Sequence, residues 1–143
     1  MTAKEYLSEV QRYENVIEHK REKLKEYRHA ATSISSARMN PAKVQASSPA
    51  DRIGDMMAKI VDLEAEIGKD MVDATDKRHE VINQIHKLDN VLHIQVLFGR
   101  YIQCKKMDDI RKDMGKSYAY ILELHGQALN AFEEQNKGML REA

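Results

Sequence analysis

The chain has 143 residues, and its formal net charge is zero because 23 Lys and Arg balance 23 Asp and Glu. This balance excludes a histone-like polycation and an acidic solvating tail. The length suits one domain, or a small domain with a helical extension. With only 6 Gly, 2 Pro and no Trp, the chain has too few turn residues for a sheet sandwich or barrel, so we expect an all-α protein.

Residues 4–31 predict a long helix that packs along one side. Apolar residues recur there at alternating intervals of four and three, a spacing typical of a coiled coil. Lys20 is the one member of this stripe that does not suit a buried position. The stripe consists of Tyr6, Val10, Tyr13, Ile17, Lys20, Leu24, Tyr27 and Ala31.

A loop and a second long helix are predicted next. Residues 32–48 are rich in Ser and contain Asn40 and Pro41, which favour a loop. Ser48 suits the N-cap of a helix that begins with Pro49 and extends to about residue 88. The stripe of this helix consists of Ile53, Met57, Ile60, Glu64, Ile67, Met71, Ala74, Arg78, Val81, Ile85 and Leu88.

The two stripes match when the helices fold back on each other as an antiparallel coiled-coil hairpin over residues 1–90. In this register Lys20 faces Glu64 and Ile17 faces Ile67. We therefore predict that a Lys20–Glu64 pair sets the register of the hairpin, which would act as a spacer or dimerisation arm. The alternative is that the two charges extend past each other into solvent at the edge of the seam.

Residues 91–143 predict a small helix-turn-helix domain. A short helix from Met107 to Met114 is followed by Gly115, which tolerates the positive φ of a tight turn. Ser117 suits the cap of a further helix whose inner face carries Ile121, Leu124, Ala128 and Phe132. Two short helices joined in this way are typical of DNA-binding proteins whose second helix enters the major groove. Any helix–Gly–helix unit gives the same pattern, so the spacing alone leaves both possibilities open.

Several segments of the sequence resemble a known family. They are Leu-Phe-Gly-Arg-Tyr at 97–101, Met-Asp-Asp-Ile at 107–110, Met-Gly-Lys-Ser at 114–117, Leu-His-Gly-Gln-Ala-Leu at 124–129, Ala-Thr-Ser-Ile-Ser-Ser at 31–36 and Val-Gln at 44–45. The segments between 97 and 117 resemble sigma-factor region 4. Together with the others, they are similar to the RinA/ArpU-type transcriptional regulators, which are phage and prophage proteins of Gram-positive bacteria. The resemblance covers most of the chain and implies a phage-type DNA-binding regulator in the cytoplasm of a bacterial host.

A group of cations precedes the last predicted helix and forms the candidate phosphate-binding surface. Residues 100–116 contain six Lys and Arg but only three Asp, whereas residues 118–134 contain no Lys or Arg. The candidate DNA-binding residues are Arg100, Lys105, Lys106, Arg111, Lys112, Lys116, Ser117, Tyr118, Tyr120 and Gln127. Of these, Tyr118, Tyr120 and Gln127 would approach the bases. The alternative is an ordinary solvated face.

The last predicted helix carries a second apolar stripe of Tyr118, Leu122, His125 and Leu129. A helix that is apolar on two sides is normally buried on two sides. This stripe is therefore the candidate protein interface. It supports an alternative function, a helical interaction module that binds RNA polymerase or another host or phage protein without reading DNA.

The remaining sequence features predict no metal site, no enzyme active site and no membrane segment, and they leave macromolecular partners as the expected ones. His79, His86 and His93 recur every seven residues, about 10 Å apart along a helix, which is too far to share one metal ion. Cys104 is the only cysteine, and no nucleophile is grouped with a base, so we expect no enzyme, no metal, no cofactor and no small-molecule substrate. No apolar run reaches 18 residues and no signal core is present, which predicts no membrane contact. We expect double-stranded DNA as a partner, RNA polymerase as a further one, and a homodimer that suits two half-sites.

Overall fold

The computed structural model of the chain describes residues 1–38 and 49–143, and no strand occurs among them. The all-α prediction is therefore confirmed. A π-helical turn over Phe98–Ile102 follows the third helix. The helices are α1 (Ala3–Arg38), α2 (Pro49–His86), α3 (Val91–Leu97), α4 (Met107–Met114), α5 (Tyr118–Gln135) and α6 (Lys137–Glu142). Among these helices, none is both long enough and apolar enough to cross a membrane.

Helix α1 extends further than the sequence predicts. Its helical backbone continues through residues 32–38, which were assigned to the loop. The hydroxyl of Thr32 donates to the carbonyl of Arg28 at 3.0 Å, so this polar side chain bonds back within the helix instead of ending it. The rest of the predicted loop, including the Ser48 cap, lies outside the described residues.

The chain divides into two compact units at places other than the predicted boundary between residues 90 and 91. The terminal unit contains Met1–Tyr13 and Ala74–Ala143, and the hairpin unit contains Glu14–Asp73. The reason is that the first turns of α1 and the last turns of α2 bury apolar side chains in the core of the C-terminal helices. These side chains are Ala3, Tyr6, Leu7, Val10, Val81 and Ile85.

The hairpin unit pairs the middle of α1 with the first two-thirds of α2. Contacts such as Arg28–Glu64 join early residues of one helix to late residues of the other, as an antiparallel hairpin requires. The buried side chains of this unit are Ile17, Leu24, Ile60, Leu63 and Ile67. The predicted antiparallel hairpin is therefore present, although its ends belong to the other unit.

The predicted Lys20–Glu64 register pair is wrong. Lys20 binds Asp70, six residues further along α2, and its Nζ lies 3.6 Å from a carboxylate oxygen of Glu66. Glu64 instead binds Arg28 at 2.8 Å. The physical reason is that Leu63, and not Glu64, occupies the buried position on α2. Glu64 therefore lies outside the seam that the stripe assigned to it.

Charge reversal tests this register. We expect Lys20→Glu and Asp70→Lys each to lower the urea midpoint of unfolding, and the double variant to recover most of the loss. The hydrogen bond that Lys20 donates to Asp70 raises the pKa of Lys20 above its usual value, because it favours the charged ammonium. If Glu64→Lys rescued Lys20→Glu and Asp70→Lys did not, the register predicted from the stripes would be correct.

Candidate nucleic-acid interface

The turn between α4 and α5 is built by local backbone bonds. Gly115 has φ 65° and ψ 36°, a left-handed conformation that strains residues with a side chain. The N–H of Gly115 donates to Lys112 at 3.2 Å, and the N–H of Lys116 donates to Arg111 at 3.0 Å. This pair of bonds is the Schellman ending of a helix, and it satisfies carbonyls that α4 would leave unpaired. The predicted end of this short helix at Gly115 is confirmed.

Ser117 begins α5 directly after this turn. Its hydroxyl oxygen accepts the N–H of Tyr120 at 3.1 Å, so the predicted cap is confirmed. Ile110 of α4 and Ile121 and Leu124 of α5 are buried in one core, and α3 also packs against α5. Helices α3 and α4 therefore fix the direction of α5 while its first turn stays at the surface.

Three of the six cations in the predicted basic cluster are paired with carboxylates of the same segment. Lys105 binds Asp113 at 2.7 Å, Arg111 binds Asp108 at 2.7 Å, and Lys112 lies 3.3 Å from the same Asp108. Hydrogen bonds from Arg111 and Lys112 lower the pKa of Asp108. These pairs are exposed, and exposed ion pairs hold their partners weakly in water. The three cations can therefore exchange a carboxylate for a phosphate at little cost.

The other cations of the cluster have different surroundings. Arg100 donates to the carbonyl of Lys105 at 3.1 Å. Lys106 and Lys116 make no ion pair with any residue in the described ranges. The Nζ of Lys116 lies 5.4 Å from the ring centre of Tyr120, in cation–π range. Lys116 is therefore held beside the first turn of α5.

The α5 entry surface is the name we give to Lys116, Ser117, Tyr118 and Tyr120. Tyr118 is 49% exposed and Tyr120 is 38% exposed. A cation at the start of a helix adds to the positive end of the helix dipole, and this arrangement favours a phosphate. Gln127, the remaining candidate, lies about two turns further along α5 and is exposed. Four of the ten candidate DNA-binding residues therefore lie together at the N-terminus of α5.

The second stripe of α5 does not remain one continuous exposed face. Leu122 is 46% exposed, whereas Leu129 packs partly against the core. His125 is half-buried, and its Nε2 lies 2.7 Å from the hydroxyl oxygen of Tyr101, with the two rings stacked. The exposed part of the candidate protein interface is therefore limited to Tyr118 and Leu122.

A groove of about 280 Å³ lies beside this part of α5. It was missed by the sequence analysis because its α1 side comes from residues more than 85 positions away from the other lining residues. The lining residues are Lys4, Ser8, Gln11, Arg100, Tyr101, Met107, Leu122 and His125. Burial, followed by the positive charges of Arg100 and Lys4, lowers the pKa of His125. The groove is therefore electropositive around a histidine that prefers to be neutral.

This lowered pKa predicts a pH dependence of stability. Because the folded state favours neutral His125, the unfolded chain binds more protons between the folded pKa and the ordinary value of about 6.5. The stabilisation is fully present above that value and is lost as the pH falls through the folded pKa. We expect the urea midpoint to fall between about pH 6.5 and 5, and to fall less in His125→Gln. A His125 pKa above 6.5 in an NMR titration would contradict this account.

No group of three or more His, Cys, Asp or Glu side chains is placed to hold a metal within residues 1–38 and 49–143.

Comparison with known proteins gives one family match. Residues 33–133, which are more than half of the chain, match the family described as "Protein of unknown function (DUF1492)". No curated protein and no solved structure matches the chain.

Proposed function

The chain belongs to the DUF1492 family, and we propose that it is a DNA-binding transcriptional regulator of phage type. The observation that carries the proposal is the exposed first turn of α5, which follows the Gly115 turn while the inner face of α5 is fixed in the core. This is the arrangement by which a helix-turn-helix protein presents a helix to the major groove. The resemblance to RinA/ArpU-type regulators supports the same function, with the cytoplasm of a bacterial host as its location.

In this proposal the α5 entry surface meets the duplex first. Lys116 and the free N–H groups of the first turn of α5 bind a phosphate, and Lys106 and Lys112 bind neighbouring phosphates. Tyr118, Tyr120 and Gln127 then approach base edges in the major groove. Glu123 is also exposed on α5, and a carboxylate in the groove accepts a hydrogen bond from cytosine N4. Because α5 carries no Lys or Arg, the phosphates are bound in this proposal by cations of the turn and of α4.

Lys116→Ala tests this assignment. Each lost phosphate contact flattens the slope of log affinity against log salt by about 0.9. We expect this change for Lys116→Ala when binding to a labelled random-sequence duplex is measured by fluorescence anisotropy across a KCl series. Lys137→Ala is the matched control, because Lys137 is exposed and follows the other end of α5, roughly 27 Å away. Equal slopes for the two variants would show that the α5 entry surface does not contact DNA.

A second candidate function is a protein-interaction module that binds RNA polymerase or another host or phage protein. It is favoured by Leu122, which is 46% exposed beside the electropositive groove, and by the absence of cations on α5. An apolar side chain beside Lys4 and Arg100 suits a partner that combines apolar and acidic residues. This function requires no contact between the α5 entry surface and DNA.

A further inference from the structure

The groove beside α5 brings two positive charges to one place in the terminal unit. Lys4 of α1 and Arg100 of the π-helical turn both line it. Within the described part of the chain, neither makes an ion pair with a carboxylate, and no Asp or Glu lines the groove. Both charges lower the pKa of His125, after the larger effect of its burial. The groove therefore carries positive charge that none of the described side chains offsets.

Hydrogen-bond donors are also left for a ligand in this groove. Arg100 donates to the carbonyl of Lys105 at 3.1 Å, which leaves the other N–H groups of its guanidinium available. The side-chain amide of Gln11, a further lining residue, makes no hydrogen bond within residues 1–38 and 49–143. Hydrogen bonds from a cation to an anionic acceptor are stronger than those between neutral groups. An anionic group is therefore the ligand that suits these donors.

The rest of the groove is apolar or aromatic. Met107 and the 46% exposed Leu122 line it. The rings of Tyr101 and His125 lie stacked beside them, with 5.7 Å between their centroids. Apolar walls with a few converging polar groups are typical of small-molecule sites. The ligand therefore needs an apolar body as well as a charge.

The size of the groove favours a small molecule over a segment of another protein. Its volume of about 280 Å³ is close to the lower limit of about 300 Å³ for small-molecule pockets. One turn of an α-helix, about 5 Å long and 10 Å wide, already exceeds that volume. A single ring with a short charged substituent fits within it.

A π-helical turn supplies Arg100 and Tyr101 to the groove. The N–H of Gln103 donates to the carbonyl of Phe98, five residues earlier, at 3.0 Å. Single π-helical turns are rare and occur frequently at functional sites. The DNA contact proposed above uses cations of α4 and of the Gly115 turn, so it gives this π-helical turn no role.

We propose that this groove is a binding site for a small organic anion, whose carboxylate or phosphate group is held by Lys4 and Arg100 and whose apolar body packs on Met107 and Leu122. This inference goes beyond the proposed DNA binding and does not depend on it. It departs from the expectation of no small-molecule substrate, because Lys4 and Arg100 come together only in the folded chain.

Four probe molecules test the proposal by NMR titration of the full chain at constant ionic strength. Benzoate and phenyl phosphate carry a charge on a ring, benzamide has the shape of benzoate without the charge, and acetate has the charge without the ring. We expect benzoate or phenyl phosphate to bind at least about tenfold more tightly than benzamide and acetate. The tighter of the two identifies the anionic group. The ring signals of His125 and the methyl signal of Met107 report binding at the groove.

Two charge-removing variants locate the anionic group. We expect Lys4→Gln and Arg100→Gln each to weaken binding of the charged probe about tenfold. Both side chains are exposed, so we expect unchanged helix content by circular dichroism. Lys137→Gln is the matched control, because it removes one exposed positive charge beyond the far end of α5, and we expect it to bind normally.

The pKa of His125 gives a second measurement. A bound anion offsets the charges of Lys4 and Arg100, so we expect saturating charged probe to raise this pKa towards its ordinary value. The proposal would be overturned if neither charged probe bound more tightly than benzamide, if both Gln variants bound as the unaltered chain does, or if the pKa of His125 did not rise. Binding of the peptide N-acetyl-Glu-Leu-amide without binding of either charged probe would also overturn it, and would assign the groove to a protein partner.

Discussion

Replacing Phe132 with alanine is expected to lower the free energy of unfolding by about 3–5 kcal/mol. Phe132 is fully buried on the inner face of α5, and its ring stacks on Tyr6 of α1 at 6.0 Å between centroids. The substitution therefore loses apolar burial and leaves a cavity where the first turns of α1 meet the C-terminal helices. Urea denaturation followed by circular dichroism measures the loss.

The chain supplies a matched control in its other phenylalanine. Phe98 stacks on His86 but is only partly buried at the edge of the same core. We expect Phe98→Ala to cost less than Phe132→Ala, because less apolar surface returns to water and the neighbouring space is open to solvent. A loss for Phe132→Ala below that for Phe98→Ala would contradict the position of α1 in the terminal unit.

Gly115→Ala is expected to destabilise the protein by about 1–2 kcal/mol. A Cβ at this position meets no atom within 4 Å, so the cost is the left-handed backbone itself and not a clash. The turn also sets how α5 follows α4, and we therefore expect weaker DNA binding in this variant at a temperature where it remains folded. Thermal unfolding and fluorescence anisotropy measure the two effects.

The same substitution at Gly126 is the control and is expected to have the opposite sign. Gly126 lies within α5, is exposed, and likewise leaves free space for a Cβ. Alanine in a helix interior is more favourable than glycine by about 0.5–1 kcal/mol. Equal effects at the two glycines would show that the left-handed turn at Gly115 carries no structural cost.

Local features of this fold could be predicted from the sequence because neighbouring residues determine them. The spacing of Ile121, Leu124, Ala128 and Phe132 predicted the buried face of α5, and all four are buried. Gly115 and Ser117 predicted the end of one helix and the start of the next, since each acts through backbone groups a few residues away. The antiparallel hairpin was also predictable, because both long stripes had the same period.

Contacts between residues that are far apart in the sequence could not be predicted in this way. Glu64, Glu66 and Asp70 all lie on α2 within reach of a cation on α1. Because Leu63 takes the buried position, Glu64 pairs with Arg28, and Lys20 contacts Asp70 and Glu66. Tyr6 and Val10 belonged to the predicted coiled-coil stripe, yet they pack in the core with α5, more than 100 residues away. The contact of His125 with Tyr101 likewise depends on tertiary packing, so the second stripe of α5 was predicted as longer than its exposed part.

Selection from a random pool of duplex DNA, repeated at several salt concentrations with the full chain, tests the proposed function most directly. We expect one sequence motif to be enriched and the affinity for it to fall as salt rises, with a shallower slope for Lys116→Ala. Binding without sequence preference that disappears near physiological salt, and that Lys116→Ala leaves unchanged, would contradict it. That result would leave the protein-interaction module as the function to pursue, with RNA polymerase as the first partner to test.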